Sequence, residues 1–277
     1  MATMTQGFNA LLLPLLFGTV YWQIDLTVQS MYDRVAAIAL MVLCLSFFHF
    51  DICMLFPLER DIFNREQTAG MYRPISFFVG RGMAEMPQHL FFVWIMGTIA
   101  YWMYGLQNDG EKYLIFMVIC EAMVVSAAGL LMVFSAFAAN MEQANLLATF
   151  FLLLFMLFDG NWVSLDKVPV YWRWIEHISC LGYASQAAVA NEYRGLTFTC
   201  TEAEELADQC FGGSSDVGVP GEYILSNRGL GDVDITFNII MLLVLAVAYR
   251  MVAFLGVWLF FRPAPPKRII KNTFGLN

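Results

Sequence analysis

Residues 55–106 read LFPLERDIFNREQTAGMYRPISFFVGRGMAEMPQHLFFVWIMGTIAYWMYGL, and the order of charge and grease in them decides the fold. An apolar segment closes at Leu58. The connector Glu59–Arg81 follows with Arg60, Arg65, Arg73 and Arg81, and then comes an apolar run, about Gly82–Tyr104, long enough to cross a hydrocarbon core of roughly 30 Å. Arginines clustered in a short connector between two spans hold that connector on the cytoplasmic side.

Working outward, the apolar segments fall at about Phe8–Ile24, Val35–Leu58, Gly82–Tyr104, Tyr113–Ala138, Leu146–Phe158 and Ile235–Phe261, the fifth set off by the polar break Asn140–Asn145. Six spans are expected, in an all-α polytopic membrane protein forming one domain over residues 1–277. The first segment competes with a cleaved signal peptide, but it has neither a basic n-region nor a small-residue cleavage site. Composition agrees: 59% of the 277 residues are hydrophobic and 14% charged, against about 45–50% apolar in soluble domains. The net charge of −8 arises largely from acids between Asp159 and Asp234, so no basic, nucleic-acid-binding surface is expected.

Arg262, Lys267, Arg268 and Lys271 after the last span repeat the basic signal of the connector. Both termini are therefore expected in the cytoplasm, with residues 161–234 forming a long external loop. Its first part, Phe158–Cys200, holds Trp162, Trp172, Trp174, Tyr171 and Tyr183, rings suited to headgroup level. An ordinary external loop with aromatic anchors accounts for that stretch equally well. Cys200 and Cys210 lie in this loop and make the natural disulfide; a zinc site is the alternative, without a CxxC or HxxxH partner. Cys44, Cys53, Cys120 and Cys180 read as small buried hydrophobes.

Four polar residues within the spans require a reason to be there: His49 and Asp51 in the second, Glu121 in the fourth and Arg250 in the sixth. A substrate pathway or coupling ion pair is one reading, with Asp51–Arg250 at similar depth as the candidate pair. Snorkelling or a structural pair between helices is the other, and it suits Arg250 in particular. No phosphate cradle GxxxxGK[ST], HExxH, GxSxG or potassium-filter sequence occurs, and no cofactor is expected on this chain.

The connector resembles the transmembrane domain of the G subfamily of ABC transporters, the White and sterol-transporter type with an ABC-2 type permease. The matching residues are Glu59-Arg60, Ile62-Phe63, Arg65-Glu66, Gly70, Tyr72-Arg73, Glu85 and Pro87, then Tyr101 and Gly105-Leu106. Phe158, Gly160, Trp172, Trp174, Tyr183, Asn191-Glu192-Tyr193, Gly195, Phe198 and Cys200 resemble the family's external block, and Gly221-Glu222-Tyr223 with Leu225 its element before the last span. The resemblance implies a re-entrant external region after the fifth span and a dimer exporting lipid, sterol or amphipathic compounds. ATP and Mg would act on an ATPase domain, either on a partner chain or on a further part of a longer protein, and a second half-transporter and membrane lipids would be the other partners. A truncated or regulatory subunit without transport activity is the alternative, and an unrelated six-span channel a weaker one. The resemblance further implies a short cytoplasmic helix around Asp61–Arg73, continuing rigidly into the third span. Glu59, Arg60, Arg65, Glu66, Tyr72 and Arg73 would couple it to the ATPase. Phe47, Leu153 and Met156 would line the path, and Asn161 and Trp162 stand where the family has an external pair of leucines.

Overall fold

The computed structural model describes residues 2–161, 169–199 and 219–260. Helices α1 (Ala2–Val20), α2 (Ser30–Phe47), α3 (Asp51–Thr68), α4 (Pro74–Tyr104), α5 (Gly110–Phe137) and α6 (Met141–Leu157) are followed by a 3-10 turn at Val170–Trp172 and by α7 (Trp174–Ile178) and α8 (Cys180–Tyr193). Strands β1 (Thr197–Phe198) and β2 (Val219–Pro220) pair antiparallel, and α9 (Gly221–Asn227) and α10 (Ile235–Phe260) complete the order. By length and composition, three stretches can cross a membrane: Ser30–Gln67, Gly110–Phe137 and Ile235–Leu259. Gln6–Val20 and Met141–Leu157 are shorter apolar helices. Arg81, Glu85, Gln88 and His89 interrupt the apolar run of α4 and lower its hydropathy, despite its 31 residues.

The bundle is built around α5, which packs against α2, α3, α4, α6, α8 and α10. Its sequence explains why it can take the centre. Small residues, among them Ala122, Ser126, Ala127, Ala128 and Gly129, let neighbouring backbones approach closely, as membrane helix interfaces require. A Cβ on Gly129 would lie 3.2 Å from the Ala246 carbonyl of α10, so this contact has no room to spare. Most of α10 is bordered on one side only: Leu243, Val244, Val247, Met251 and Leu255 are exposed and form an apolar outer face.

The expected second span and the separate cytoplasmic helix prove to be one helical rod, Ser30–Gln67, 38 residues long. Between α2 and α3 the helix tightens without ending. Phe48, Phe50, Ile52 and Cys53 each donate three residues back, to Leu45, Phe47, His49 and Phe50, the 3-10 pattern that marks hinges within long helices. The rod stops at Gly70, whose φ of 72° suits glycine, and Met71 N–H reaches back to the Glu66 carbonyl at 3.2 Å. The chain then reverses, and Arg73 in extended conformation leads into Pro74 at the start of α4. The helix expected around Asp61–Arg73 is thus the tip of the second apolar segment and not a rigid extension of the third, because a left-handed glycine separates them.

Two other expectations shift. The polar break Asn140–Asn145 is mostly helical: Asn140 precedes α6, and Met141, Glu142, Gln143 and Ala144, good helix formers, make its first turn. The expected external loop contains a helix in the protein core. Every residue of α8 is buried, packed on α2, α5 and α10, with Ser179 Oγ accepting from Gly182 N–H at 3.1 Å to cap its start. Cys44, Cys53, Cys120 and Cys180 are free and buried, whereas the Cys200–Cys210 pairing lies outside the described residues.

Candidate functional site

At the tip of the rod the charges of residues 59–73 divide into two sets. Arg60 turns inward: it is 5% exposed and its guanidinium donates to the carbonyls of Ser135, Ala136, Ala138 (2.8 Å) and Ala139. These oxygens belong to the C-terminal end of α5 and the residues after it, where helix carbonyls lack intrahelical partners and the macrodipole is negative. Glu59 pairs with Arg81 of α4, whose Nε also donates to Glu85 at 2.9 Å. Arg65 and Arg73 are exposed. Glu66 accepts from the Tyr72 hydroxyl at 2.5 Å, and the Gln67 amide donates to the Tyr72 carbonyl at 2.7 Å, closing the reversal. Burial, with Glu66 opposite, pushes the Tyr72 phenol up to about 12. Phe63, Tyr72 and Phe77 pack ring to ring beneath this turn, with centroids 4.8–6.2 Å apart.

Of the four polar residues, His49 and Asp51 share one cavity, Arg250 lies within electrostatic reach of His89 and Glu85, which line that cavity, and Glu121 is elsewhere. The His49 and His89 rings lie 4.0 Å apart, and Asp51 accepts from the Gln6 amide of α1 at 2.8 Å, with Gln88 donating to Gln6 in turn. A cavity of about 290 Å³ opens among these groups, Glu59, Arg81 and Glu85. Asp51 and Arg250 form no ion pair: the Asp51 partner is Gln6, and the acid in electrostatic reach of Arg250 is Glu85. Both reach α4, Asp51 toward Arg81 and Arg250 toward Gly82 and Glu85, but they do not meet, a separation that similar depth in sequence does not reveal. Both carboxylate oxygens of Glu121 are buried without a hydrogen-bond partner. Sequence reasoning passed over Gln6, Gln88 and His89. Arg81, Glu85, Gln88 and His89 recur at helical spacing at the start of an apolar run, and that periodicity was the available signal.

Phe47, at the end of α2, packs on Phe50 with centroids 5.3 Å apart. Leu153 is exposed and Met156 half-buried on α6, where Leu146, Phe150, Leu153 and Leu157 form an apolar face that no part of the chain covers among the described residues. Asn161 ends the turn after α6: its N–H donates to Asp159 Oδ1 at 2.8 Å and its side-chain amide to Oδ2 at 3.1 Å. Trp162 lies outside the described residues. Phe158 stacks on Trp172 at 5.9 Å, drawing the aromatic segment back over the end of α6.

The opposite end of the rod is held by a buried ion pair that sequence reasoning missed. Arg34 and Glu192 are 3% and 2% exposed and meet at 2.5 Å. Arg34 Nη2 donates to the carbonyls of Ile24 (2.6 Å) and Gly105 (3.0 Å), and the second Glu192 oxygen accepts from Gln107 N–H at 3.2 Å. Burial pushes the Glu192 carboxyl above the ordinary carboxylate range, against the pull of Gln107 N–H, Arg34 and Lys112. One pair therefore joins α2, α8 and the loops that follow α1 and α4. Glu192 stood inside a recognised motif, but its partner is 158 residues distant.

This arrangement is a helical rod clasped to α8 at one end and to the end of the central small-residue helix at the other, and its sequence matches a known membrane module. The model of the ABC-2 type transporter family matches residues 1–193. The chain belongs to that family. Among similar proteins, ABC transporter G family member 19 of Arabidopsis thaliana is 28% identical over 204 residues, covering 73% of this chain and 28% of that protein. ABC transporter G family member 1 of Dictyostelium discoideum is 26% identical over 267 residues, 92% of this chain and 32% of its own. ABC transporter G family member 8 of Arabidopsis thaliana is 27% identical over 257 residues, again 92% of this chain and 42% of its own. The chain spans between 28% and 42% of the length of these relatives. An ABC-2 type domain is an integral membrane domain of a transport system, and the apolar helices of this chain agree with that assignment.

Proposed function

We propose that this chain is the permease half of an ATP-driven exporter of lipid, sterol or other amphipathic compounds. It works as a dimer, with ATP hydrolysed on an ATPase domain outside the described residues. α1, the α2–α3 rod, α4, α5, α6 and α10 are its six spans, and α7 and α8 form a region that re-enters from outside. The observation that carries this reading is the rod itself: one element reaches from the buried Arg34–Glu192 pair to the Glu66–Tyr72 turn and holds the end of α5 through Arg60 on the way. A push on the exposed tip at Arg65 and Glu66 moves the rod. Arg60 passes the movement to the central helix, and the 3-10 segment at Phe48–Cys53 supplies the bend. Arg60 thus transmits the movement, while Arg65, Glu66 and Arg73 meet the ATPase.

The uncovered α6 face supports pairing with a second half-transporter, and the path would run between the two copies beside Phe47, Leu153 and Met156. Adaptable methionine and flat aromatic surfaces suit ring-bearing or acyl substrates. Asn161 and Trp162 would close the path externally, and Cys200–Cys210 would staple the lid. The test is ATP hydrolysis by the assembled transporter in vesicles, stimulated by a panel of sterols and phospholipids. Reversing charge with Arg65→Glu is expected to abolish substrate stimulation while the protein remains folded and dimeric. Unchanged stimulation would refute the coupling role of the tip.

A further inference from the structure

Arg250 is one of the buried polar groups that the proposed transport cycle leaves without a task. It projects from the apolar helix α10 toward α4, its Nε and Nη2 buried with no hydrogen-bond partner. Glu85 is the acid within its electrostatic reach, but it forms no hydrogen bond to Arg250: its Oε1 accepts from Arg81 Nε at 2.9 Å and its Oε2 is buried without a hydrogen-bond partner. A guanidinium so placed in an apolar setting costs several kcal/mol unless an anion or water answers it. Beside it α4 and α10 leave a groove of about 390 Å³, walled by Met83, Met86, Met251 and Phe254. At Gly82 the wall has no side chain, and a Cβ there would stand 3.8 Å from the Arg250 guanidinium carbon. The guanidinium thus lies against the α4 backbone, within ordinary contact of the glycine position.

Depth identifies the occupant. From Tyr104, the outer end of α4, to Gly82 the helix rises about 33 Å at 1.5 Å per residue, close to the roughly 30 Å thickness of the hydrocarbon core. The Arg250 head therefore sits at the level of inner-leaflet headgroups, between walls that accept an acyl chain. The sequence adds Arg262, Lys267, Arg268 and Lys271 just beyond α10, which favours the same anionic leaflet.

We propose that the α4–α10 groove binds an anionic phospholipid of the inner leaflet, its phosphate paired with Arg250 and its acyl chain lying along the methionines. The proposal rests on the topology given above, which is tested separately by labelling a single cysteine at Ser76 with a membrane-impermeant reagent from either side of sealed vesicles.

The experiment for the site itself compares spin-labelled phosphatidylglycerol with spin-labelled phosphatidylcholine, as immobilised fractions around the protein in phosphatidylcholine vesicles. The wild type is expected to hold the anionic lipid roughly fivefold more strongly, the effect of one basic residue at the membrane surface. Arg250→Gln should equalise the two lipids, and Arg250→Lys should keep part of the preference. Gly82→Leu, which fills the groove and spares the charge, should lower retention of the labelled anionic lipid. Equal retention by the wild type, or a preference that survives Arg250→Gln, overturns the proposal. So does a preference lost on neutralising the four basic residues after α10 with Arg250 intact, or displacement of the labelled lipid by inorganic phosphate alone.

Discussion

Replacing Glu192 with leucine removes the carboxylate that meets Arg34 in the most deeply buried ion pair among the described residues. The mutant keeps a guanidinium that is 3% exposed, still bonded to the carbonyls of Ile24 and Gly105, but with no opposing charge. Gln107 N–H loses its acceptor as well. Breaking one side of a buried pair costs about 3–5 kcal/mol, a large part of the stability of any domain. Replacing both members by apolar residues of similar size is a different matter, since no uncompensated charge remains and such swaps are often neutral. Arg34→Met with Glu192→Leu is therefore expected to lose less than the sum of the two single losses, because no uncompensated charge remains, although it forfeits the two carbonyls that Arg34 satisfied, at about 1–3 kcal/mol each. Equilibrium unfolding in mixed micelles of increasing denaturing detergent measures all three variants. A Glu192→Leu loss under about 1 kcal/mol, or a double variant as unstable as the sum of the singles, would refute the account of this clasp.

Other outcomes follow from single contacts. Gly221→Ala should prevent folding, because its Cβ would stand 2.0 Å from the Tyr193 carbonyl, a backbone atom that cannot swing away; recovery of a monodisperse protein on size exclusion would count against this. Arg60→Ala strips the C-terminal carbonyls of α5 of a charged donor and should cost about 2–3 kcal/mol, seen in the same unfolding assay, while Arg65→Ala at the exposed surface should stay within about 0.5 kcal/mol. Glu222 is held below its ordinary value of 4.5, chiefly by Gly195 N–H at 2.9 Å. An acid with a lowered native pKa stabilises fully above its unfolded value and loses that contribution as pH falls through the native one. Protection of the Gly195 N–H, corrected for the intrinsic pH dependence of amide exchange, should therefore fall below about pH 4.5 in the wild type and show no such step in Glu222→Gln.

The features legible in the sequence were those carried by runs of neighbouring residues. Apolar segments announced a membrane protein because hydrocarbon admits only long unbroken stretches, and the connector motif announced the ABC-2 family because its matches fall in one register. The boundary between α3 and α4 was harder to read, since Gly70 alone turns an expected rigid continuation into a reversal.

Partnerships across the bundle were beyond sequence reasoning. Arg60 read as one of a row of charges coupling the connector to an ATPase, yet it ends on α5 carbonyls contributed 75 or more residues away. Asp51 and Arg250, equal in depth, face different neighbours. By itself the sequence determined the class of protein, its family and most of its helices, because hydrophobicity and helix formation are properties of consecutive residues. Tertiary structure alone decided which helix became the centre, which charges were clasps and which cation stood by an open groove, because a helix's neighbours depend on how all the others pack.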